Sequence, residues 1–403
     1  MQPHSDTDPS SLPQRDSSTY EEVIPWWNDL PFTIISELAL PATTSIPTQR
    51  VDVAIIGAGV AGLSAALSAR AAGAQVIVLE QEAWLGYGAT GRNAGILSAG
   101  INMSLSDLPL ESSGYTLWSE TIQTLLSLIE DATQPDSLLR AHLTGAISLA
   151  ESKNAARLLA REAQTRVEAG LNADLWTPEQ VTEHTAGRLN VTSVQSALWL
   201  PDEGRIQPLT LLAHLARQAR RSGVTIIGNT QMTDYQEVSR DQQHYWQITL
   251  ANGRTLKAHA LIQAVGPTIQ PNARIYALAF KADLPDTFPL FWDASPYTYA
   301  DFRPGNGRLG VSGGRYGKAG VTRHDTRYHH HLADAARHWL PELTNEQPCA
   351  TWAVDLQVAA DMIPTLRPLG DIAPGFSIEG LGALGVLPGI VLGRRAGAMV
   401  AHV

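Results

Sequence analysis

The chain holds a single cysteine, Cys349, among 403 residues. That excludes an internal disulfide framework and any metal centre built from several thiolates. Positive charge is also scarce: 29 Lys and Arg stand against 39 Asp and Glu, a formal net charge of −10. Such a balance argues against a general binder of nucleic acid or of anionic membrane surfaces. No apolar run reaches the roughly 18 residues needed for a membrane span. The opening residues, MQPHSDTDPSSLPQRDSS, lack the cationic start and apolar core of a signal peptide. The expected compartment is cytoplasmic. GxSxG and HExxH are both missing, which disfavours hydrolases built on either pattern. What is present is 44% apolar residues with 17% charged, enough to build the core of a two-domain enzyme.

The stretch 51–80 organises the rest. Val51–Ile56 is an apolar, β-branched run suited to a strand buried on both faces. It leads into Gly57-Ala58-Gly59-Val60-Ala61-Gly62 and an alanine-rich helix over Leu63–Ala72; Gln75–Leu79 reads as the next strand, closed by Glu80. Gly57 makes the tight turn, Gly59 lets the backbone approach a pyrophosphate, and Gly62 lets helix and strand pack closely. The pyrophosphate would sit on the free amides and positive dipole end of that helix, which brings in Val60 and Ala61. Glu80, eighteen residues past Gly62, is placed to accept hydrogen bonds from adenosine ribose hydroxyls, with Gln81 beside it. A lone GxGxxG is weak and reads equally as an idle turn. The strand, the helix and the acid around this one point to a dinucleotide.

The loop Trp84–Gly95 follows directly, and its glycines speak against a stable helix. Its backbone can face a ligand closely, and Arg92 can supply charge to a phosphate. A flexible surface loop is the plainer reading; the position after Glu80 favours a second cofactor contact.

Upstream, residues 1–19 hold nothing to bury. Tyr20–Phe32 interleaves aromatics with prolines and reads as an arm pinned by Trp26 and Trp27. Downstream, helical spacing covers Leu117–Glu130, Lys153–Ala169, Leu209–Arg221 and Thr326–Leu340. Thr177-Pro178 is a helix start. Val224–Ile227 would add a strand to the nucleotide sheet. Asn252-Gly253 joins Tyr245–Leu250 to Thr255–Ala258 as a hairpin, and Ala260–Val265 reads as a separate buried strand. Arg274–Asp283, Thr298–Phe302 and Arg308–Ser312 suggest an antiparallel sheet of their own, while Trp352–Asp371 reads as glycine-rich turns. His329-His330-His331 are adjacent, so their side chains fan apart; they read as solvated surface, not a metal site. The fold class is α/β (α+β mixed), a Rossmann-like domain plus a second domain on an antiparallel sheet. Residues 1–49 form the tail and arm, 50–101, 201–271 and 351–403 the nucleotide domain, and 102–200 and 272–350 the substrate domain.

Four segments resemble the FAD-dependent oxidoreductases of the D-amino-acid oxidase family. These are the aromatic arm, Gly88-Ala89-Thr90-Gly91-Arg92-Asn93-Ala94-Gly95 (similar to GASGRNGG), Arg308–Arg315 (similar to RLLFGGR), and Trp352, Asp361 and Pro364 in W-x8-D-x2-P. Gamma-glutamylputrescine oxidases are the nearest likeness, with glycine and sarcosine oxidases behind. The resemblance implies FAD along Gly57, Gly59, Gly62, Glu80, Ala89, Thr90, Arg92, Asn93, Ala94, Gly95 and Gly266. It also implies a turn before the last helix, with Leu384 and Gly385, that approaches the flavin ring. Leu384 stands where the family often has histidine, and Leu356 where an arginine often follows the tryptophan. Relatives that attach FAD covalently use a cysteine at the place of Val354, so non-covalent FAD is expected here.

The implied activity is oxidation of the C–N bond of an amino acid or amine to an imine, by hydride transfer to flavin N5. Reoxidation would be by O2 or another acceptor. Tyr297, Tyr299, Arg303 and Arg315 are the candidate orienting groups. Arg315 is either a fork for a substrate carboxylate or a structural ion pair. An NAD(P)-dependent dehydrogenase and a catalytically degenerate FAD-binding subunit are the alternatives. Oligomeric state is not legible.

Overall fold

The computed structural model describes residues 24–28, 30–40, 46–240, 243–266, 270–293 and 300–401. Tyr297, Tyr299 and the first residues of the aromatic arm lie outside them.

Val51–Ile56 is buried along almost its whole length and pairs in parallel with Val76–Leu79 on one side and Thr255–Gln263 on the other. The helix between the two strands is the crossover that parallel pairing demands. It runs Val60–Ala71, and Thr225–Ile227 extends the sheet beyond Val76–Leu79. Gln243–Leu250 and Met232–Arg240 continue it as an antiparallel meander, and Gly375–Glu379 and Thr365–Pro368 complete this first sheet. Gly253, at φ +79°, makes the expected hairpin turn. The strands expected over Thr255–Ala258 and Ala260–Val265 are one, Thr255–Gln263, because its two halves take different partners on the same edge.

The second sheet has the order Ala350–Leu356, Ala273–Lys281, Arg308–Gly317, Ala300–Gly305, Leu290–Asp293, Ala146–Ala150, Ser196–Leu200, Asp174–Trp176. It is antiparallel throughout except for Leu290–Asp293 against Ala146–Ala150. One reading changes here. Ala350–Leu356 is a full strand of this sheet, where glycine-rich turns in the nucleotide domain were expected. Its apolar residues Trp352, Val354 and Leu356 alternate, the pattern of a strand with one buried face. One face of the sheet, with Tyr276, Leu278, Phe302 and Val311, packs on the helix Asp325–Trp339. The other face, with Ala277, Trp352, Val354 and Leu356, looks toward Ala89 and Ala383.

Smaller expectations meet the structure one by one. Thr177 caps Pro178–His184 through a reciprocal box with Gln180. The arm packs as a 3-10 turn, Pro25–Trp27, with Trp26 buried and its indole N–H donating to the Asn93 carbonyl at 2.9 Å. The loop after Glu80 does contain a helical turn, Ala89–Arg92. Its Gly91 packs so tightly that an added Cβ would meet the Gly86 carbonyl at 2.0 Å. His329 is not solvated: it lies half-buried, 2.9 Å from the Trp352 carbonyl and edge-on to Tyr276. Cys349 is exposed. No group of three or more metal-ligating side chains and no helix long and apolar enough to cross a membrane occurs among the described residues.

Candidate active site

A cavity of about 650 Å³ runs between the two sheets. At one end lies the turn out of the first strand. Gly57 sits at φ +95°, and a Cβ there would meet the Ala264 carbonyl at 2.6 Å; a Cβ on Gly62 would meet the Gly57 carbonyl at 1.9 Å. Only glycine lets the strand end, the turn and the helix approach this closely. Gly62 therefore acts behind the cavity, while Gly57, Gly59, Val60 and Ala61 line it.

Glu80 closes that end. Its two oxygens accept from the Ala58 amide at 2.8 Å and the Glu82 amide at 3.2 Å. Burial pushes the carboxyl up, and those amides pull the other way. The side chain is thus fixed by backbone and lines the cavity beside Gln81. Glu80→Ala should weaken FAD binding by ~1.5–3 kcal/mol for each charged hydrogen bond lost. Glu80→Gln, which keeps one acceptor oxygen, should lose less. Fluorescence titration of the apoprotein measures both, and unchanged affinity in Glu80→Ala would remove this residue from the site.

The middle of the cavity is the loop over Ala89, Thr90, Arg92, Asn93 and Ala94. Thr90 Oγ1 accepts from the Val60 amide at 3.2 Å, locking the loop to the helix start. Asn93 holds the turn itself, donating to the Thr90 carbonyl and accepting from Gly95 N at 2.7 Å. Gly95 lies behind the cavity, against Ile206 and Arg303. Trp352 explains its place in the W-x8-D-x2-P segment: its indole N–H donates to the Arg92 carbonyl at 2.8 Å, tying the second sheet to the cofactor loop.

At the far end, Leu381–Leu387 line the cavity where the closing helix Val386–Val400 begins. Gly389 N bonds the Gly385 carbonyl and Pro388 has no N–H, so the helix directs its first amides and positive end at the cavity. Two residues that sequence reasoning missed shape this turn. Asn102 donates to the Leu381 carbonyl at 3.3 Å and accepts from Leu384 N at 3.2 Å. Gln357 accepts from Gly380 N at 3.2 Å through its side chain and from Gly382 N at 3.1 Å through its carbonyl. No local pattern marks either, since each partner is remote in sequence.

The candidate substrate groups need correction. Arg303 is buried, but it donates to the carbonyls of Gly95 at 3.1 Å and Ile206 at 3.2 Å and stacks 4.5 Å over Trp26. Burial, and then the neighbouring Arg205, pulls its guanidinium down to about 9. It fastens the arm and does not line the large cavity. Arg315 is exposed and outside the lining as well. Its strand alternates Leu309 and Val311 toward the helix with Gly310 and Ser312 on the opposite face, of which Ser312 lines the cavity, and Gly313 and Gly314, both at positive φ, end that alternation before Arg315. Tyr297 and Tyr299 are not among the described residues. Asp301 and Ser312 line the wall instead, opposite one another in register. Arg274 lines it too, with its guanidinium held by Asp325 at 2.7 Å and Asp355 at 3.0 Å.

A family model described as FAD dependent oxidoreductase (DAO) matches residues 52–399. The chain belongs to this family. FAD is the cofactor of DAO-family enzymes, and the residues here fit it. An acid, Glu80, lines one end, helix N-termini open at both ends of the cavity, and at Gly88 and Gly266 an added Cβ would meet nothing within 4 Å. Among curated proteins, the probable oxidoreductase OrdL of Haemophilus influenzae is 28% identical over 206 residues, 50% of this chain and 46% of that protein. The match thus covers under half of that relative's length. Among solved structures, glycine oxidase from Geobacillus kaustophilus superposes with a TM-score of 0.71 at 22% identity, over 88% of this chain and 94% of that one. L-proline dehydrogenase from P. horikoshii gives 0.71 at 17%, over 89% and 93%. At these identities the likeness speaks for the DAO fold alone.

Proposed function

We propose that this DAO-family enzyme oxidises the C–N bond of an amine or amino acid to an imine. FAD, when bound, supplies the two-electron acceptor for such a reaction. The observation that carries the reading is the single cavity that joins the Gly57–Glu80 end to the turn Leu381–Gly385 and then to the wall of Ser312 and Asp301. Gly57–Ala61 and Glu80 would hold the nucleotide end, and Thr90–Ala94 the middle. The first amides of Val386–Val400 would stabilise negative charge beside them by dipole and by hydrogen bonding. Ala277, Trp352, Val354 and Leu356 present an apolar wall that excludes water from the facing volume. Hydride transfer from a carbon next to nitrogen needs alignment and desolvation more than a strong base, which suits the apolar stretch of this wall.

The test is anaerobic: the purified yellow protein is mixed with amino acids, N-methyl amino acids and polyamines, and the flavin absorbance is followed. Bleaching by one class supports the reading; bleaching by dithionite alone would favour a degenerate FAD-binding subunit. Because Val354 stands at the place of the linking cysteine and Cys349 is exposed, acid precipitation should release all of the FAD. Flavin retained on the denatured protein would contradict this.

A further inference from the structure

We propose that a second, small cavity behind the cofactor loop binds one inorganic anion of halide size, which serves as the counter-ion of Arg303 and steadies the FAD site. This holds whatever substrate the enzyme oxidises.

The cavity measures about 30 Å³ and lies between the arm and the second sheet. A water needs about 10–15 Å³, so there is room for one or two waters or for a single halide ion. Arg140, Arg303 and Arg308 line it with Gln207, and no acidic side chain belongs to its described lining. Arg303 makes it an anion site. The Trp26 ring covers the face of its guanidinium, and Nε and Nη2 donate to the carbonyls of Gly95 and Ile206. Nη1 has no acceptor among the described residues, although the side chain is 4% exposed and borders the cavity.

The charged neighbour that acts on Arg303 is Arg205, a like charge. Arg205 is matched by Asp286 at 3.0 Å and by the Pro304 carbonyl at 2.8 Å, whereas no carboxylate among the described residues pairs with Arg303. Two carbonyl dipoles and an aromatic face offset only part of the desolvation of a full charge. An anion at Nη1 supplies the rest. Arg140, which is exposed, adds a second cation on the solvent side of the cavity.

The walls of this cavity also hold the cofactor loop. Trp352 donates to the Arg92 carbonyl at 2.8 Å, Trp26 to that of Asn93 at 2.9 Å and Arg303 to that of Gly95 at 3.1 Å. All three donors border the small cavity, while Arg92 and Asn93 line the large one. An anion that fixes Arg303 therefore favours the FAD-binding form of the loop, and by linkage bound FAD tightens the anion.

The experiment compares sodium chloride and sodium bromide with sodium gluconate, an anion too large for the cavity, at equal ionic strength. The melting temperature of the apoprotein should rise with halide and not with gluconate. Fluorescence titration should show FAD binding about fivefold tighter in chloride than in gluconate. Arg303→Met should abolish both effects, and Arg303→Lys, which keeps the charge, should retain part of them. Arg140→Gln, at an exposed position, should move the halide midpoint to higher concentration. Crystals grown in bromide should give an anomalous peak in the cavity. Equal melting temperatures in chloride and gluconate would overturn the proposal. So would a halide effect that survives Arg303→Met and Arg140→Gln unchanged, the mark of an adventitious ion only. If Arg303→Met does not fold, the midpoint of Arg140→Gln decides. A bromide peak with FAD affinity the same in all three salts upholds the anion site and overturns its coupling to the cofactor.

Discussion

Replacing Arg166 with methionine should cost about 3–5 kcal/mol of stability, because it leaves two buried carboxylates without their cation. Arg166 donates to Glu162 at 2.8 Å and to Glu203 at 3.2 Å and stacks 4.9 Å over Trp118; the three charged side chains are 11%, 8% and 3% exposed. Each carboxylate also holds backbone. Glu203 accepts from Ala99 N at 2.9 Å, and Glu162 accepts from Leu105 N at 3.2 Å and Ser106 N at 2.8 Å. Burial pushes Glu203 up despite Arg166, while for Glu162 burial is outweighed by Arg166 and Ser106 and the carboxyl is held down. Without the cation both should titrate higher in the folded protein than in the unfolded chain. The native state then binds more protons, so the deficit should shrink as pH falls toward the ordinary carboxylate range.

The segment these carboxylates hold, Ala99–Ser106, carries Asn102, which fixes Leu381 and Leu384 at the cavity. Arg166→Met should therefore also shed FAD faster than wild type at temperatures where it stays folded. Arg161→Met is the control, since the Arg161–Asp107 pair is about half exposed, 51% and 49%, and should be worth under about 1 kcal/mol. Urea unfolding of both variants decides the matter. Equal losses would mean the buried triad carries no special weight, and Glu203→Gln added to Arg166→Met should restore part of the deficit if it does.

What the sequence made legible is what lies close along the chain. The turn Gly57–Gly62 and the acid at 80 share one strand–helix–strand unit, and the Ala58 amide to Glu80 bond joins residues only 22 apart. Asn252-Gly253 and Thr177-Pro178 are local as well. The cavity wall on the second sheet was not legible, because its assignment depends on which face of a distant sheet each residue takes. Arg315 misleads since two positive-φ glycines end the alternation just before it. Arg303 shares a face with Asp301, yet packing against Gly95 and Trp26 buries it out of reach of the cavity. Asn102 and the turn it holds are 279 residues apart at Leu381, and nothing in either segment announces the other.

The closing helix yields the sharpest graded test. Gly389, Gly393 and Gly397 recur every four residues and so share one face, which lies along Val60–Ala71. A Cβ on Gly393 would meet the Ala61 carbonyl at 2.3 Å and Ser64 Cβ at 3.0 Å; on Gly397 it would meet the Ala65 carbonyl at 2.3 Å. A backbone carbonyl within a helix cannot step aside, so the two helices must separate. On Gly389 the nearest atom is a Val60 methyl at 3.3 Å, which can give way. Gly393→Ala should then lose about 1–3 kcal/mol from overpacking, against the roughly 1 kcal/mol that alanine gains over glycine within a helix. Gly389→Ala should be near neutral or slightly stabilising. The functional effect should be larger than the loss of stability, because both helices begin at the cavity, at Val60 and at Val386. Spreading them moves both cofactor-facing N-termini at once. Thermal unfolding and FAD titration across the three alanine variants should rank Gly393 and Gly397 well below Gly389 in both measures, with Gly393, the nearer to the cavity, losing more FAD affinity than Gly397. A Gly393→Ala protein as stable as wild type, with its FAD affinity intact, would show that the helices tolerate separation and that glycine is not what sets the closing helix in place.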